Sequence, residues 1–173
     1  IHAAKNYGCE ITTTTISEAQ FEYMQQRFSE LGLNHKIHLL NQDYRNLSGN
    51  FDKIVSIEMI EAVGNKFLGT FFSICSELLK PEGQMCLQSI TMPDDRYPEY
   101  LKNTDFIQTY IFPGSCVPSL AAIKNSLLKY TNLKICHVED IAPHYSRTLL
   151  YWLENFDRNE SQIRKLGYDE NFC

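Results

Sequence analysis

The stretch that most restricts what this chain can fold into runs from Asp52 to Gly64, where Ile54, Val55 and Ile57 form a short apolar run and Glu58 and Glu61 follow at once. A β-branched run of this kind marks a strand buried on both faces of a parallel sheet. Ligands of open α/β sheets bind beyond the carboxyl ends of the strands, so a doubled acid at that point reads as the floor of a site. It would meet a cationic ligand or hold a catalytic base. The plainer reading is a helix-start acid that favours the macrodipole, and the motif alone does not choose between the two.

The chain around this stretch alternates helical and strand periods. Residues 1–8 read as a helix end closing at Gly8, and Glu10–Ile16 as a β-branched strand. Ser17-Glu-Ala-Gln20 is a capping box, followed by Phe21, Met24, Phe28 and Leu31 at helical spacing and a stop at Gly32. Lys36–Leu40 is a second strand, Asn41–Leu47 a polar loop, and Ser48–Asn50 a turn into the strand of the acidic motif. From Gly64 a helix carries Phe67, Phe71, Ile74 and Leu78 and is stopped by Lys80-Pro-Glu-Gly83, after which Gln84–Thr91 reads as a strand. Ser119 caps a helix with Leu120, Ile123, Leu127 and Leu128. Leu133–Asp140 reads as the last clear strand, Ala142–Thr148 as a strand-end loop, and Leu149–Leu166 as a final amphipathic helix. Such an order predicts an α/β chain with a doubly wound, mostly parallel sheet.

One segment breaks the rhythm. Met92–Pro118 carries Pro93, Pro98, Pro113 and Pro118 among Tyr97, Tyr100, Phe106, Tyr110, Ile111 and Phe112, and reads as a lid or binding insertion rather than a plain cover for a sheet edge. The formal charge of −5 offers nothing to nucleic acid. Six cysteines without CxxC spacing read as reduced thiols of a cytosolic protein, and His35, His38, His137 and His144 lack metal-ligand spacing, so no metal is expected. No apolar run is long enough to span a membrane and no signal peptide is visible, while the lack of an initiator Met points to a chain that begins in mid-protein.

The strand ends bring the chemistry-bearing residues to one crevice: Thr15 with Ile16, Asp43 with Tyr44, Glu58 with Glu61, and Gln88 with Ile90. There Asp43 would accept from an adenine amino group, Tyr44 would stack on the ring, and Gln20 with Thr15 would bond ribose hydroxyls. Singly, Asp43 is an ordinary turn former and Gln20 an ordinary cap; their joint placement is the stronger sign.

Thr15-Ile-Ser-Glu-Ala-Gln20, Asp43-Tyr-Arg45, Phe51 through Gly64, Leu87-Gln-Ser-Ile-Thr91, Asp105-Phe-Ile107, Tyr110-Ile-Phe-Pro-Gly114, Pro118-Ser119 and His144-Tyr-Ser-Arg-Thr-Leu149 together resemble the S-adenosylmethionine-dependent cyclopropane-fatty-acyl-phospholipid synthases. The resemblance covers nearly the whole chain. It implies a Rossmann-like class I methyltransferase fold over residues 1–173, with 92–118 as the substrate lid. It further implies transfer of a methylene group to a cis double bond of an unsaturated phospholipid at a membrane surface, in a cytoplasmic protein peripheral to the inner face; a homodimer is compatible with it. The cofactor set would be Thr15, Ile16, Gln20, Asp43, Tyr44 and Ile57, with Ile57 against the adenine. A bound bicarbonate ion would act as base, held by Glu61, Gln88, the backbone at Ile90, and Tyr145.

Two departures from the family pattern stand out. Gln88 replaces a His found in many members, so it positions an anion and does not titrate near neutral pH. The family's glycine-rich cofactor loop and a bicarbonate-holding Cys are expected ahead of residue 1, and no GxGxxG occurs here. The family's first strand would lie mid-sheet, between the strands at 10–15 and 52–57, and a last antiparallel strand would follow residue 173. The expectation is therefore an incomplete sheet, two half-sheets with exposed apolar edges, in a fragment unstable or inactive alone. Two other readings stand beside this one: a small-molecule N-methyltransferase with a similar acidic motif, and a catalytically dead methyltransferase-like interaction module.

Overall fold

A computed structural model describes residues 1–170 and 172. They divide into two units, Ile1–Lys134 and Ile135–Cys173. The first unit opens with α1 (His2–Asn6), β1 (Ile11–Thr15), α2 (Glu18–Glu30) and β2 (Ile37–Asn41). β1 and β2 pair in parallel from Ile11 against Ile37 to Thr15 against Asn41. Ala4, Phe28, Leu33 and Ile37 form a buried cluster between this pair and the helices, with Ile11, Met24, Leu31 and Leu39 packed on it. The capping box at Ser17 forms by half: Ser17 Oγ accepts from the Gln20 amide at 3.3 Å. The return bond comes from Thr15, whose hydroxyl accepts from the Ser17 amide at 3.1 Å and donates to Gln20 Oε1 at 2.8 Å. The end of β1 and the start of α2 are thereby locked together through one hydroxyl.

The acidic stretch continues into a second half. β3 (Phe51–Ile57) leads through short 3-10 turns to α3 (Leu68–Leu78), which passes directly into β4 (Leu79–Gln88). β3 and β4 are parallel, with Lys53 against Gln84 through Ile57 against Gln88. Lys80-Pro-Glu-Gly83 ends the helix as its composition predicts and then forms a bulge, because the register jumps between Phe51 against Leu79 and Lys53 against Gln84. Gly83 is required there: a Cβ would stand 2.9 Å from the Lys80 carbonyl oxygen and 2.8 Å from Leu79 Cδ2. After α4 (Tyr97–Tyr100) comes α5 (Leu120–Tyr130). Ile60, Leu68, Phe71, Phe72, Cys75, Ile123 and Leu127 make the core of this half, against Ile54, Met85 and Leu87 of the strands.

The strands of this unit thus form two two-stranded parallel sheets, β1–β2 and β3–β4. This is the incomplete Rossmann-like arrangement expected, each half-sheet with its own core. One expectation needs correction. β3 is covered on one face only: Ile54 and Ser56 turn inward, while Val55 and Ile57 are 65% and 61% exposed. α3 and α5 pack against a single face, so the opposite face, where Val55 pairs with the exposed Cys86, lies bare.

Met92–Pro118 is an excursion closed at its base. The Met92 amide donates to the Pro118 carbonyl at 2.9 Å, and Met92 bridges Ser119 in parallel. Ser119 Oγ caps α5 by accepting from Ala122 N at 3.1 Å, and Asp94 adds a second cap from Ala121 N at 2.8 Å. Within the excursion Ile107–Ile111 form a π-helical turn.

Two further expectations fail in the later residues. Leu133–Asp140 forms no strand; a strand exists only as part of a ladder, and none of the four described strands pairs with it. Ala142–Thr148 is not a loop but the first two turns of α6 (Ala142–Lys165). Pro143 sits in the first helical turn, where its missing N–H goes unused, and Asp140 Oδ1 accepts from Ala142 N at 2.9 Å. Among the described residues no helix is long and apolar enough to cross a membrane.

Candidate active site

The parallel pairing of β3 with β4 brings Ile57 beside Gln88, and the acids beyond Ile57 therefore meet the residues beyond Gln88. Glu58 leaves the strand with φ +50°. Its amide donates to the Gln88 carbonyl at 2.9 Å, and its Oε1 accepts from Gln88 Nε2 at 3.0 Å. A 3-10 turn, Ile60–Ala62, then drives Ile60 fully into the core and swings Glu61 back toward β4. Glu61 Oε1 accepts from the Ile90 amide at 2.6 Å. Its Oε2 is buried and makes no hydrogen bond. Glu61, Gln88 and Ile90 are thus one cluster, and Glu58 belongs to it.

The excursion is fastened to the same turn. The Cys116 amide donates to the Glu61 carbonyl at 2.8 Å and the Tyr97 hydroxyl to Asn65 Oδ1, in the following turn, at 2.7 Å; within the excursion the Val117 amide donates to the Tyr100 hydroxyl at 3.0 Å. Burial, then the neighbouring Cys116, pushes the Tyr97 phenol well above its ordinary range, and burial also raises that of Tyr100. Both remain neutral hydroxyls at physiological pH. Asn65, Tyr97 and Cys116 have no local pattern that singles them out; the proline and aromatic density of the excursion was the one available sign.

The residues expected at the cofactor lie at the strand ends of both halves. Thr15 and Gln20 are bonded to each other and line a cleft of about 350 Å³ with Thr13, Thr14, Tyr23, Met24 and Leu39. Ile16 is 77% exposed. Asp43 is engaged by Arg45, which donates from Nε at 3.0 Å, from a guanidinium nitrogen at 2.6 Å and from its backbone N at 2.9 Å. These bonds hold the Asp43 carboxyl down at about 2. Tyr44 packs edge-on to Phe71, ring centroids 5.7 Å apart, and so ties the loop after β2 to the core of the other half. Tyr145 belongs to the second unit, where it lies in the first turn of α6 with its ring edge-on to Trp152 at 6.4 Å.

Comparison with solved structures defines the class. The fold superposes on a mycolic acid cyclopropane synthase complexed with SAH and CTAB (TM-score 0.86, 26% identity, 99% of this chain and 63% of that one). It also superposes on coclaurine N-methyltransferase bound to N-methylheliamine and SAH (TM-score 0.70, 22% identity, 95% of this chain and 50% of that one). This is a partial Rossmann-like fold of the S-adenosylmethionine-dependent methyltransferases. The chain belongs to the mycolic acid cyclopropane synthetase family, which it matches over residues 1–173. Among curated relatives it is 36% identical to a tuberculostearic acid methyltransferase of Mycobacterium tuberculosis, over 96% of this chain and 39% of that protein. It is 34% identical to the cyclopropane-fatty-acyl-phospholipid synthase of Escherichia coli K12, over 99% of this chain and 42% of that protein. The chain spans about two fifths of the length of these relatives.

Proposed function

We propose that this chain is the catalytic floor of an S-adenosylmethionine-dependent lipid methyltransferase that adds a methylene group across a cis double bond of a phospholipid acyl chain. The observation that carries the reading is Glu61: its backbone is held by Cys116, one carboxylate oxygen by Ile90, and the other is buried and unpartnered. A fixed acceptor of that kind suits a reaction that develops positive charge. The alkene π pair attacks the sulfonium methyl, and the carbon–sulfur pair stays with sulfur as S-adenosylhomocysteine leaves. A cation remains on the other alkene carbon. Loss of a proton from the transferred methyl frees its C–H pair to close the ring.

Bicarbonate, implied as base by the family resemblance, would supply the proton acceptor. The residues present fit it: Glu61 Oε2 is free to accept the O–H of the ion, and Gln88 Nε2 has a second N–H beyond the one given to Glu58. Tyr145, carried over by motif, would donate its hydroxyl. Thr15, Ile16, Gln20, Asp43, Tyr44 and Ile57 remain the residues proposed to hold the co-substrate. For the lipid tail, the excursion offers Phe106, Tyr110 and Phe112, which are 65%, 72% and 64% exposed. Such side chains suit an acyl chain presented at a membrane surface.

The N-methyltransferase reading has only a likeness of fold behind it, at 22% identity, whereas relatives with lipid names reach 34–36%. The protein encoded by the whole reading frame should be incubated with methyl-labelled S-adenosylmethionine and unsaturated phospholipid vesicles. Label in a cyclopropane acyl chain is the expected result. Label confined to amines, or no transfer, overturns the proposal. Label in a methyl or methylene branch keeps the lipid methyltransferase and removes the ring closure, an outcome the tuberculostearic acid methyltransferase relative makes worth resolving by proton NMR.

A further inference from the structure

We infer that Glu58 is a positioning residue acting through Gln88: it fixes which end of the Gln88 amide faces the site. The role deepens the function proposed above and rests on it for the kinetic arm of its test, though its geometry does not. Among the described residues Glu58 alone, glycines apart, has positive φ. Glycine takes that conformation without steric cost, and a residue with a Cβ is held there only when its surroundings over-determine it. The surroundings here are one partner. The Glu58 amide bonds the Gln88 carbonyl at 2.9 Å, and the Glu58 carboxylate bonds Gln88 Nε2 at 3.0 Å.

Continued strand geometry would send the residue 58 side chain to the inward face that carries Ile54 and Ser56. The positive φ diverts it instead to the neighbouring strand. A primary amide carries two donors and one acceptor and is close to symmetric in shape, so a lone glutamine presents either end to a ligand. An acceptor-only carboxylate removes that freedom: the NH2 group must face Glu58, one N–H is spent, and the second keeps a fixed direction. Gln88 then serves as a donor of set orientation two residues from the Ile90 amide that holds Glu61. The strained backbone at Glu58 is the means by which this orientation is imposed.

Strain and function can be separated by one substitution. Glu58→Gly keeps the backbone conformation and removes the carboxylate. In the protein encoded by the whole reading frame, we expect its melting temperature to be equal or higher. Its kcat should fall by about tenfold, the scale of one misdirected hydrogen bond, with KM for S-adenosylmethionine unchanged. Glu58→Gln, whose own amide can offer Gln88 either a donor or an acceptor and so leaves its orientation unset, should recover little of the loss. In a Gln88→Leu background the Glu58→Gly change should have no further effect. A readout free of catalysis is hydrogen exchange of the Gln88 side-chain amide, followed by NMR with selective glutamine labelling: slow for one proton in the parent protein, fast for both in Glu58→Gly. Wild-type kcat in Glu58→Gly, an equal loss in the Gln88→Leu background, or unchanged amide exchange would each overturn the role. Should the parent transfer no label to lipid, the proposed function fails by itself, and the amide exchange still decides the role of Glu58.

Discussion

Two separate cores imply two separately unfolding halves, and Phe72→Ala tests this. Phe72 is 1% exposed and meets Phe71 edge-on at 5.1 Å in the cluster under β3, β4, α3 and α5. None of the residues of the other cluster, Ala4, Phe28, Leu33 and Ile37, belongs to it. Truncating a buried phenylalanine costs roughly 3–5 kcal/mol, transfer and cavity together. That raises the population of the opened state by a factor of about a hundred to several thousand, a large part of the 5–15 kcal/mol or so that stabilises a typical domain. Amide hydrogen exchange on the 173-residue chain should show β3, β4, α3 and α5 losing protection by that factor while β1, β2 and α2 keep theirs. Phe28→Ala should give the reverse pattern. Parallel loss of protection in both halves would refute the reasoning and make the Tyr44–Phe71 contact, at 5.7 Å, the seam of one cooperative unit.

Two further outcomes follow from the ionisable groups. Arg45 depresses the Asp43 carboxyl to about 2 from an ordinary 3.8, so the interaction stabilises the folded state in full above pH 4 or so and is lost as pH falls through 2. Arg45→Met should move the Asp43 titration midpoint, read by carbon NMR, part of the way back toward its ordinary value, because the residue 45 amide still donates to the carboxylate; a midpoint that stays near 2 would remove the Arg45 guanidinium as the main cause. Burial pushes the Cys75 thiol up to about 12, whereas Cys9 and Cys86 are exposed. Iodoacetamide at neutral pH should therefore label Cys9 and Cys86 well before Cys75, and equal rates would show that the α3 core opens freely.

Local chemistry was legible in the sequence, and partnership was not. Ser17 and Ser119 cap the helices they were expected to cap, because a cap depends on residues within one turn. β3 and β4 were legible as strands, and the parallel α/β order followed from the short spacing between helical and strand periods. What β3 faces was not legible: the run Ile54 to Ile57 fits burial on two sides, and only the placement of α3 and α5 shows one side bare. Leu133–Asp140 has the composition of a strand and no ladder to join. Ala142–Thr148 reads as a loop in the sequence although Pro143 suits a first helical turn as well, and helix starts with proline carry that ambiguity. At the site, Glu61 and Gln88 were legible as strand-end residues, and the family motifs only favoured Glu61 over Glu58. The bonds from Cys116 to Glu61 and from Tyr97 to Asn65 join segments dozens of residues apart, with no periodic trace.

The donor and acceptor balance at the end of β3 bears on what the site prefers to hold. Two carboxylates, Glu58 and Glu61, stand there against two donors, Gln88 Nε2 and the Ile90 amide, and each carboxylate takes one of them. Acceptor capacity is left over, most plainly at Glu61 Oε2. A site with surplus acceptors and negative charge favours a cation, and a sulfonium co-substrate or a carbocation in the acyl chain is a cation of low hydration. An anion is the harder guest. It can be taken up where it brings its own proton for Glu61 and finds donors for its remaining oxygens, which is why the direction of the second Gln88 N–H matters. Under the proposed function, the orientation set by Glu58 would be what lets an acidic floor suited to a cation also take a basic anion beside it.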